Sequence, residues 1–436
     1  MNCLVAVALI AAVSSVALGA GPYEGDQLLK VVPQTVRQAE VLLGLEDEGF
    51  FVDFWEFSDR PGTESLFMVR ASDAAELKER LKKTGLKVEV LHENVQRMAD
   101  ASVALDAMLK KARPYVKGQR LTYEFAQYHR LDEIYSFLEE LTSEPEAAEI
   151  SEVISIGSSF EGRDMRLVKI GKASSDPKPG FWIDCNIHAR EFITAGSCVY
   201  IINEIITQYL AGNPDFQSYV DDMDWFILPV ANPDGYEYAH TRSRYWRKNR
   251  SGSGLTRGVD QNRNWDAEFG GPGSSGNPRS ETYRGPSVFS EIENRNMRDF
   301  VLDRQETMKA FITVHAFSQL WLIPYSYRRN YQPPDGAELN EVADEVVDVI
   351  KDTHGKTYRP GTAANILYRV SGGSFDWAKE KAGVKWAYSP ESRPQRGGLG
   401  GFNPNPREII PNAQEQFNGF RVIADRILAD AGKQKQ

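Results

Sequence analysis

Phe181-Trp182-Ile183-Asp184-Cys185-Asn186-Ile187-His188-Ala189-Arg190-Glu191 is the stretch on which the reading of this chain turns. Its first half is a short apolar run of the kind that forms a strand buried on both faces, and such strands belong to sheets covered by helices. Its second half places an imidazole and a carboxylate three residues apart as that strand ends, the edge at which α/β sheets bind their ligands. A second imidazole, His315, follows another apolar run, Phe311-Ile312-Thr313-Val314. Two imidazoles and one carboxylate are a borderline-soft donor set that suits Zn²⁺. Three protein ligands leave a fourth position for water, the mark of a catalytic site rather than a structural one.

A bare His-x-x-Glu arises often by chance, and a lone histidine after an apolar run is more often structural than functional. The chain holds six histidines, so the alternatives are few. His92 lacks the second histidine of the helical zinc-protease motif. His129, His240 and His354 lie in polar, charged segments and read as surface residues. Only His188 and His315 stand at strand ends.

Outward from this stretch, strands and helices alternate, which implies an α/β fold. Residues 225–230, 311–314 and 384–389 read as further buried strands, and 153–157 and 165–170 as a hairpin around Glu161-Gly162-Arg163. Residues 131–141, 193–210, 291–302 and 339–351 read as helices, and the Gly- and Pro-rich 269–278 as a surface loop. Upstream, 28–32, 52–57, 66–69 and 87–91 read as strands and 34–45 and 74–83 as helices, with Arg60-Pro61-Gly62 as a turn. That βαββαβ order is ferredoxin-like. Residues 95–111 then read as a long polar helix.

A length of 436 residues suggests two domains, and 41% hydrophobic content supports a sizeable core. A formal charge of −10 argues against nucleic acid as a partner. The first twenty residues read as a secretory signal: residues 4–13 are apolar but too short to span a membrane, and Ala17-Leu18-Gly19 offers small residues for cleavage. The leading segment carries no Lys or Arg. No later apolar stretch is long enough for a membrane helix. Of three cysteines, Cys3 leaves with the signal. Cys185 and Cys198 remain, bracketing the His188/Glu191 turn, either as a disulfide in an oxidising compartment or as two inert buried thiols. Asn249-Arg250-Ser251 is a glycosylation sequon in a segment expected to be structured, so little glycan is expected there.

Further motifs follow in order: Trp246-Arg247-Lys248, Asp260-Gln261-Asn262-Arg263-Asn264-Trp265-Asp266, Tyr368, Ser371-Gly372-Gly373-Ser374 and Glu391-Ser392-Arg393. In this order and spacing the chain resembles the zinc carboxypeptidases of the digestive A/B type, from about Leu121 onward. The resemblance implies a mixed central sheet with helices on both faces, preceded by a ferredoxin-like α+β activation domain that covers the cleft until proteolysis removes it. The implied division is 1–19 signal peptide, 20–117 activation propeptide with its linker helix, and 118–436 catalytic domain.

It also implies one zinc on His188, Glu191 and His315, with Glu391, at the end of the last strand, as general base. Arg247 would stabilise the oxygen that gains charge. Asn262 and Arg263 would hold the substrate's terminal carboxylate, since a planar guanidinium pairs bidentately with one. Tyr368 would close over that carboxylate, and Arg190 would be a further substrate-binding arginine. Some members of the family join the residues matching Cys185 and Cys198. Phe375 would stand at the base of the pocket for the C-terminal side chain, with Leu322, Ser326, Ala363, Leu367, Val370 and Ser389 around it. None of these is charged, which predicts release of aliphatic and aromatic residues. Asp376 matches the family's ordinary Asp-Trp pair rather than a selector of basic residues.

The implied partners are peptide and protein C-termini and an activating trypsin-like protease, with no nucleic acid and no membrane, for a secreted monomer. Activation is expected after Lys111, Lys117 or Arg120, because Pro114 protects Arg113. The chain departs from the family at Pro390 and Ser392 around Glu391, and at Phe317, where many relatives have Tyr. A second functional class, a catalytically silent relative that only binds peptides, would be favoured by loss of a zinc ligand, Glu391 or Arg247, and all are present. No nucleophile motif suggests a serine or cysteine hydrolase.

Overall fold

The computed structural model describes residues 21–397 and 400–434. The expected signal segment, 1–19, lies outside the described residues. The chain begins with β1 (Gln27–Val31), α1 (Val36–Leu43), β2 (Val52–Glu56), β3 (Ser65–Val69), α2 (Ala74–Lys82), β4 (Val88–His92) and α3 (Val95–Ala112). The strands form a sheet in the order β2-β3-β1-β4, and the three pairings within it are antiparallel. The ferredoxin-like order read from the sequence is therefore present. Successive residues of a strand face opposite sides, and here each side is buried. Leu29, Val31, Phe67 and Val69 pack with Leu42, Leu77 and Leu81 of the two helices. Leu28, Leu66 and Met68 point the other way, into a core shared with α3 and with the rest of the chain. This small sheet is thus seated on the larger unit, not tethered beside it.

The larger unit follows: α4 (Leu131–Thr142), β5 (Ser151–Ser158), β6 (Asp164–Ile170), β7 (Gly180–Cys185), α5 (Phe192–Leu210), α6 (Pro214–Asp221), β8 (Asp224–Leu228), α7 (Pro233–Thr241), α8 (Ile292–Leu302) and β9 (Met308–Ser318). The chain ends with β10 (Leu320–Ile323), α9 (Gly336–His354), β11 (Arg359–Thr362), α10 (Ala363–Ile366), α11 (Ser374–Glu380), β12 (Trp386–Gln395) and α12 (Ile409–Gln434). Eight strands form one mixed sheet in the order β11-β10-β12-β9-β7-β8-β6-β5. Its centre, β12-β9-β7-β8, is parallel. Helices cover both faces. Phe181, Ile183 and Cys185 of β7 join a core with α5, α9 and α12, while Trp182 between them joins a core with α8 and α11.

Several expectations are corrected. The strand expected over 311–314 is the eleven-residue β9, and the strand expected to end at 389 runs on to Gln395. Glu391 therefore sits within β12 and not at its end. His129 is not a surface residue: it is buried and stacked on Tyr123, with ring centroids 3.8 Å apart. His240 is half-buried and lies flat on Phe192 at 4.0 Å. His354 is exposed, as expected.

Candidate active site

The parallel centre of the sheet delivers the metal-type residues to one place. β7 ends at Cys185, and Asn186 then turns the chain with a left-handed backbone (φ 58°), a conformation asparagine tolerates better than most residues. The Asn186 amide donates to His188 O and Ala189 O, both at 3.3 Å, and so shapes the turn. Glu191 is the residue before α5. A disulfide between Cys185 and Cys198 fastens the end of β7 to α5 on either side of the turn. His315 comes from β9, the neighbour of β7.

His188, Glu191 and His315 each offer a ligand atom within 4.8 Å of the others, and all three residues are buried. His188 Nδ1 lies 2.8 Å from Glu191 Oε1, His315 Nδ1 3.3 Å from Glu191 Oε2, and the two Nδ1 atoms 3.1 Å apart. Two ring nitrogens this close beside a carboxylate concentrate lone pairs that only a proton or a cation between them relieves. Burial acts to raise the Glu191 carboxyl, yet the two histidines hold it well below the usual range. Burial and Arg247 lower His188, whereas for His315 the nearby Glu191 outweighs burial and raises it. Buried nitrogen and carboxylate donors converging in this way fit a zinc ion.

Asp260 gives this cluster its order, and sequence reading assigned it no role. Its Oδ1 lies 3.2 Å from His188 Nε2, on the ring edge away from the ligand atoms. Its Oδ2 accepts from Arg247 Nε at 3.1 Å and Nη2 at 2.8 Å. Despite full burial, Arg247, Arg263 and His188 hold the Asp260 carboxyl far below the usual range. A carboxylate behind a ligating histidine fixes its tautomer and orientation. The buried Asp184 accepts from Trp182 Nε1 (2.8 Å) and Thr313 Oγ1 (2.8 Å), and was likewise not singled out. A motif match marks the run from Asp260 to Asp266, but only coordinates reveal which of its members faces the cluster.

Glu391 pairs across the sheet with His315 of β9 on one side and Leu320 of β10 on the other, and it lines the same cavity as the cluster. Burial pushes its carboxyl up to about 8; Glu191 adds to the shift, and His315 and Arg247 oppose it. A dication in the cluster would draw it down. Near neutrality such a group can both take and give a proton.

Arg190, Arg247, Asn262, Arg263, Tyr368 and Phe375 line this cavity too. Asn262 Nδ2 lies 3.2 Å from His315 Nε2, and Asn262 Oδ1 accepts from Ser374 N at 2.9 Å. Arg263 is buried, donating through Nε to Gly273 O at 2.7 Å and through Nη1 to Asn262 O at 3.0 Å. Beside Phe375 stand Leu322, Ala363, Leu367 and Val370 with the hydroxyls of Ser326 and Ser389. Asp376 is turned away: the Ser326 N–H donates to its two oxygens at 3.1 and 2.9 Å, and the Ser326 hydroxyl bonds it as well. Burial raises the Asp376 carboxyl to about 7.

The small sheet closes this cavity. Asp53 accepts from Arg190 Nη1 at 2.6 Å, Glu56 lies 3.1 Å from Arg396 Nε, and Phe57 meets Tyr368 edge-on at 5.5 Å. Trp55, Glu56 and Phe57 line the cavity directly, and the space left beneath them is about 70 Å³. That is room for a few waters and not for a peptide residue.

Comparison with known proteins bears on what this pairing is. Residues 134–419 match the family described as zinc carboxypeptidase, and residues 29–102 the one described as carboxypeptidase activation peptide. The chain is 36% identical over 408 residues to carboxypeptidase A2 of Mus musculus, covering 93% of this chain and 94% of that one. It is 39% identical over 306 residues to carboxypeptidase B of Astacus astacus, covering 69% of this chain and 97% of that one. The crystal structure of carboxypeptidase A from Helicoverpa armigera superposes with a TM-score of 0.85 at 27% identity, covering 94% of this chain and all of that one. The chain belongs to the zinc carboxypeptidase family: it is a metallocarboxypeptidase of the A/B type, a zymogen carrying its activation peptide.

Proposed function

We propose that this chain is the secreted precursor of an exopeptidase that holds one zinc and releases aliphatic and aromatic residues from peptide and protein C-termini. The observation that supports this specificity best is the uncharged wall around Phe375, in the same cavity as the His/Glu/His cluster. An apolar side chain gains roughly 1.5–3 kcal/mol on burial in such a pocket, whereas a Lys or Arg would lose its water without a counter-ion.

His188, Glu191 and His315 would hold the ion. When bound, zinc supplies Lewis acidity, which polarises a carbonyl and makes water nucleophilic near neutral pH. Glu391 takes the proton from the attacking water and passes it to the leaving amine. Arg247, anchored to Asp260 through Nε and Nη2, keeps Nη1 for the oxygen that gains charge. Arg263 and Asn262 receive the terminal carboxylate, which fixes the scissile bond as the last one in the chain. Tyr368 closes over that carboxylate, and Arg190 meets the substrate once Asp53 has left.

Residues 20–117 are the activation segment and 118–436 the catalytic domain. A trypsin-like protease cuts between them. Secretion is supported by the apolar leader and by the Cys185–Cys198 bond. Among the described residues no helix is long and apolar enough to cross a membrane. The test is hydrolysis of matched peptides differing only in the last residue, with and without a chelator. Phe, Leu and Val should leave faster than Arg and Lys, and the chelator should stop all release. Faster release of Arg or Lys refutes the specificity, and activity indifferent to the chelator refutes the metal.

A further inference from the structure

One carboxylate gathers the linker that follows α3. Glu140, on α4, accepts through Oε1 from the Gly118 N–H at 2.6 Å, the Tyr115 hydroxyl at 2.6 Å and the Ser136 hydroxyl at 3.0 Å. Its Oε2 is buried and has no hydrogen-bond partner among the described residues. Burial acts to raise the Glu140 carboxyl, yet Tyr115, the Gly118 N–H, Ser136 and the charge of Arg120 hold it below the usual range. Gly118 has φ +83°, a left-handed turn that glycine takes without strain, and the turn brings its nitrogen to the carboxylate.

A cut after Lys117 divides these contacts. Tyr115 leaves with the activation segment, and so does Val116, whose N–H is bonded to Thr122 Oγ1 at 2.9 Å. The residues beyond the cut keep supports of their own. Arg120 holds Glu144 through Nε at 2.7 Å and Nη2 at 3.2 Å. The Thr122 N–H and hydroxyl each donate to Gln119 O at 2.8 Å, and Tyr123 stacks on Phe137 of α4 with ring centroids 4.1 Å apart. Gly118 is thereby kept within reach of Glu140.

The cut also changes what Gly118 offers. Hydrolysis puts the hydroxyl of water on the Lys117 carbonyl carbon and its hydrogen on the Gly118 nitrogen. Near neutral pH the new acid then gives up a proton and the new amine takes one. A neutral N–H becomes a cation with three donors, beside an anion that has lost a hydroxyl and has a second oxygen unbonded. Hydrogen bonds between ionised partners are roughly twice as strong as neutral ones.

We propose that Glu140 is a binding site for the N-terminus that activation creates: the Gly118 ammonium pairs with Glu140 in place of the Tyr115 hydroxyl and fastens residues 118–122 to α4. The inference rests on the division of the chain at 117 proposed above.

The experiment compares wild type with Glu140→Gln, each made as the full chain and then activated by a trypsin-like protease. Glutamine keeps an acceptor for Tyr115 and Gly118 and removes only the charge. Mass spectrometry first reads the new N-terminus, and a terminus other than Gly118 overturns the division at 117 and the anchor together. With Gly118 in place, acylation of the α-amine is followed across a pH series. Its midpoint should lie about half a pH unit higher in the wild type than in the variant. A broad-specificity aminopeptidase should remove Gly118 about fivefold more slowly from the wild type. The Tm difference between the two proteins should be larger after activation than in the uncut chains, where Gly118 carries no charge. Equal midpoints, equal trimming or an unchanged Tm difference overturns the anchor and leaves the division standing. If the variant fails to fold, the wild-type midpoint is set against that of the same terminus in denaturant, and equality there overturns the anchor as well.

Discussion

In the proposed side-chain pocket, a carboxylate in place of Phe375 would join the uncharged Leu322, Ser326, Ala363, Leu367, Val370 and Ser389 that line the same cavity. On the proposed specificity, Phe375→Asp should reverse the preference, lifting C-terminal Arg and Lys relative to Phe by on the order of a hundredfold in the kcat/KM ratio, because it would supply the counter-ion that a buried cation needs. Matched peptides ending in Arg and Phe measure it, and an unchanged ratio sinks the specificity assignment. Asp376→Asn is the control. That side chain already receives the N–H and hydroxyl of Ser326 and faces away from the pocket, so it should leave the ratio where it was. Asp260 makes a different prediction. Asp260→Asn keeps the shape but removes the charge shared by His188 and Arg247. Zinc affinity, read by competition titration, should fall about 10- to 100-fold, and turnover should fall further because Arg247 loses its anchor. Wild-type affinity in the variant would show that Asp260 does not orient His188.

At the scale of elements, the legible parts are those with a strong local signature. β7 and its ligand turn announce themselves by an apolar run followed by polar residues, and the βαββαβ order of the activation segment by its turns. The sequence reading ends β12 at 389, just before Pro390, a residue with no N–H for a ladder. The structure shows how it survives. On the β9 side the ladder pairs Tyr388 with Ile312 and next Glu391 with His315, so Pro390 falls between paired residues there, while on the β10 side it stands opposite Trp321. α12 went unread, although Ile409, Ala413, Phe417, Phe420, Ala424 and Ile427 recur at helical spacing and are buried. Pro411 and Gly419 mask the pattern, yet Pro411 sits in the first turn, and a side chain at Gly419 would collide with Val346 of α9 at 2.8 Å. The two misjudged histidines share a cause: their sequence neighbours are polar, but their burial is supplied by aromatic residues, Tyr123 and Phe192, that the local reading did not connect to them. The Asn249 sequon is closed for a similar tertiary reason, its buried amide donating to Glu291 at 2.6 Å and Glu293 at 3.2 Å. The linker sharpens the activation site. Lys111 lies in the last turn of α3, and Arg120 is paired with Glu144. Lys117 is paired as well, with Asp132 at 2.7 Å, but it stands exposed in the turn after α3, just before Gly118, whereas Arg120 is half-buried, and exposed irregular backbone is where proteases cut. The activated enzyme should begin at Gly118, and Lys117→Gln should slow activation. An N-terminus elsewhere, read by mass spectrometry, would place the cut differently.

Across the whole molecule, the two units meet through acidic groups that are poorly solvated. Glu56 is buried under the cleft, and burial raises its carboxyl from 4.5 to about 7. The Gly397 N–H and Arg396 oppose the shift, while Glu64 adds to it; Glu391 faces it across the cavity. Glu281, across the interface, is pushed up to about 7 by burial and Asp53, against Lys248, Arg190 and Arg247. Glu46, bonded to Ser280, is raised as well. The sign follows from linkage. A carboxyl whose pKa is higher when docked binds its proton more tightly in the docked state, so docking is strongest below the free value of 4.5 and weakens as pH rises through about 7. For Glu56 alone the full span is of the order of 3 kcal/mol, and even a third of that is a several-fold change in Kd. After the linker is cut, the activation segment should therefore leave faster at pH 8.5 than at pH 5.5. Glu56→Gln, which retains the amide-type contact to Gly397, should flatten that difference. Dissociation is read from the segment itself, by size or fluorescence, so the enzyme's own pH–rate profile does not enter. Tighter docking at pH 8.5 would mean that the Asp53–Arg190 pair, and not the buried glutamates, governs how the two units part.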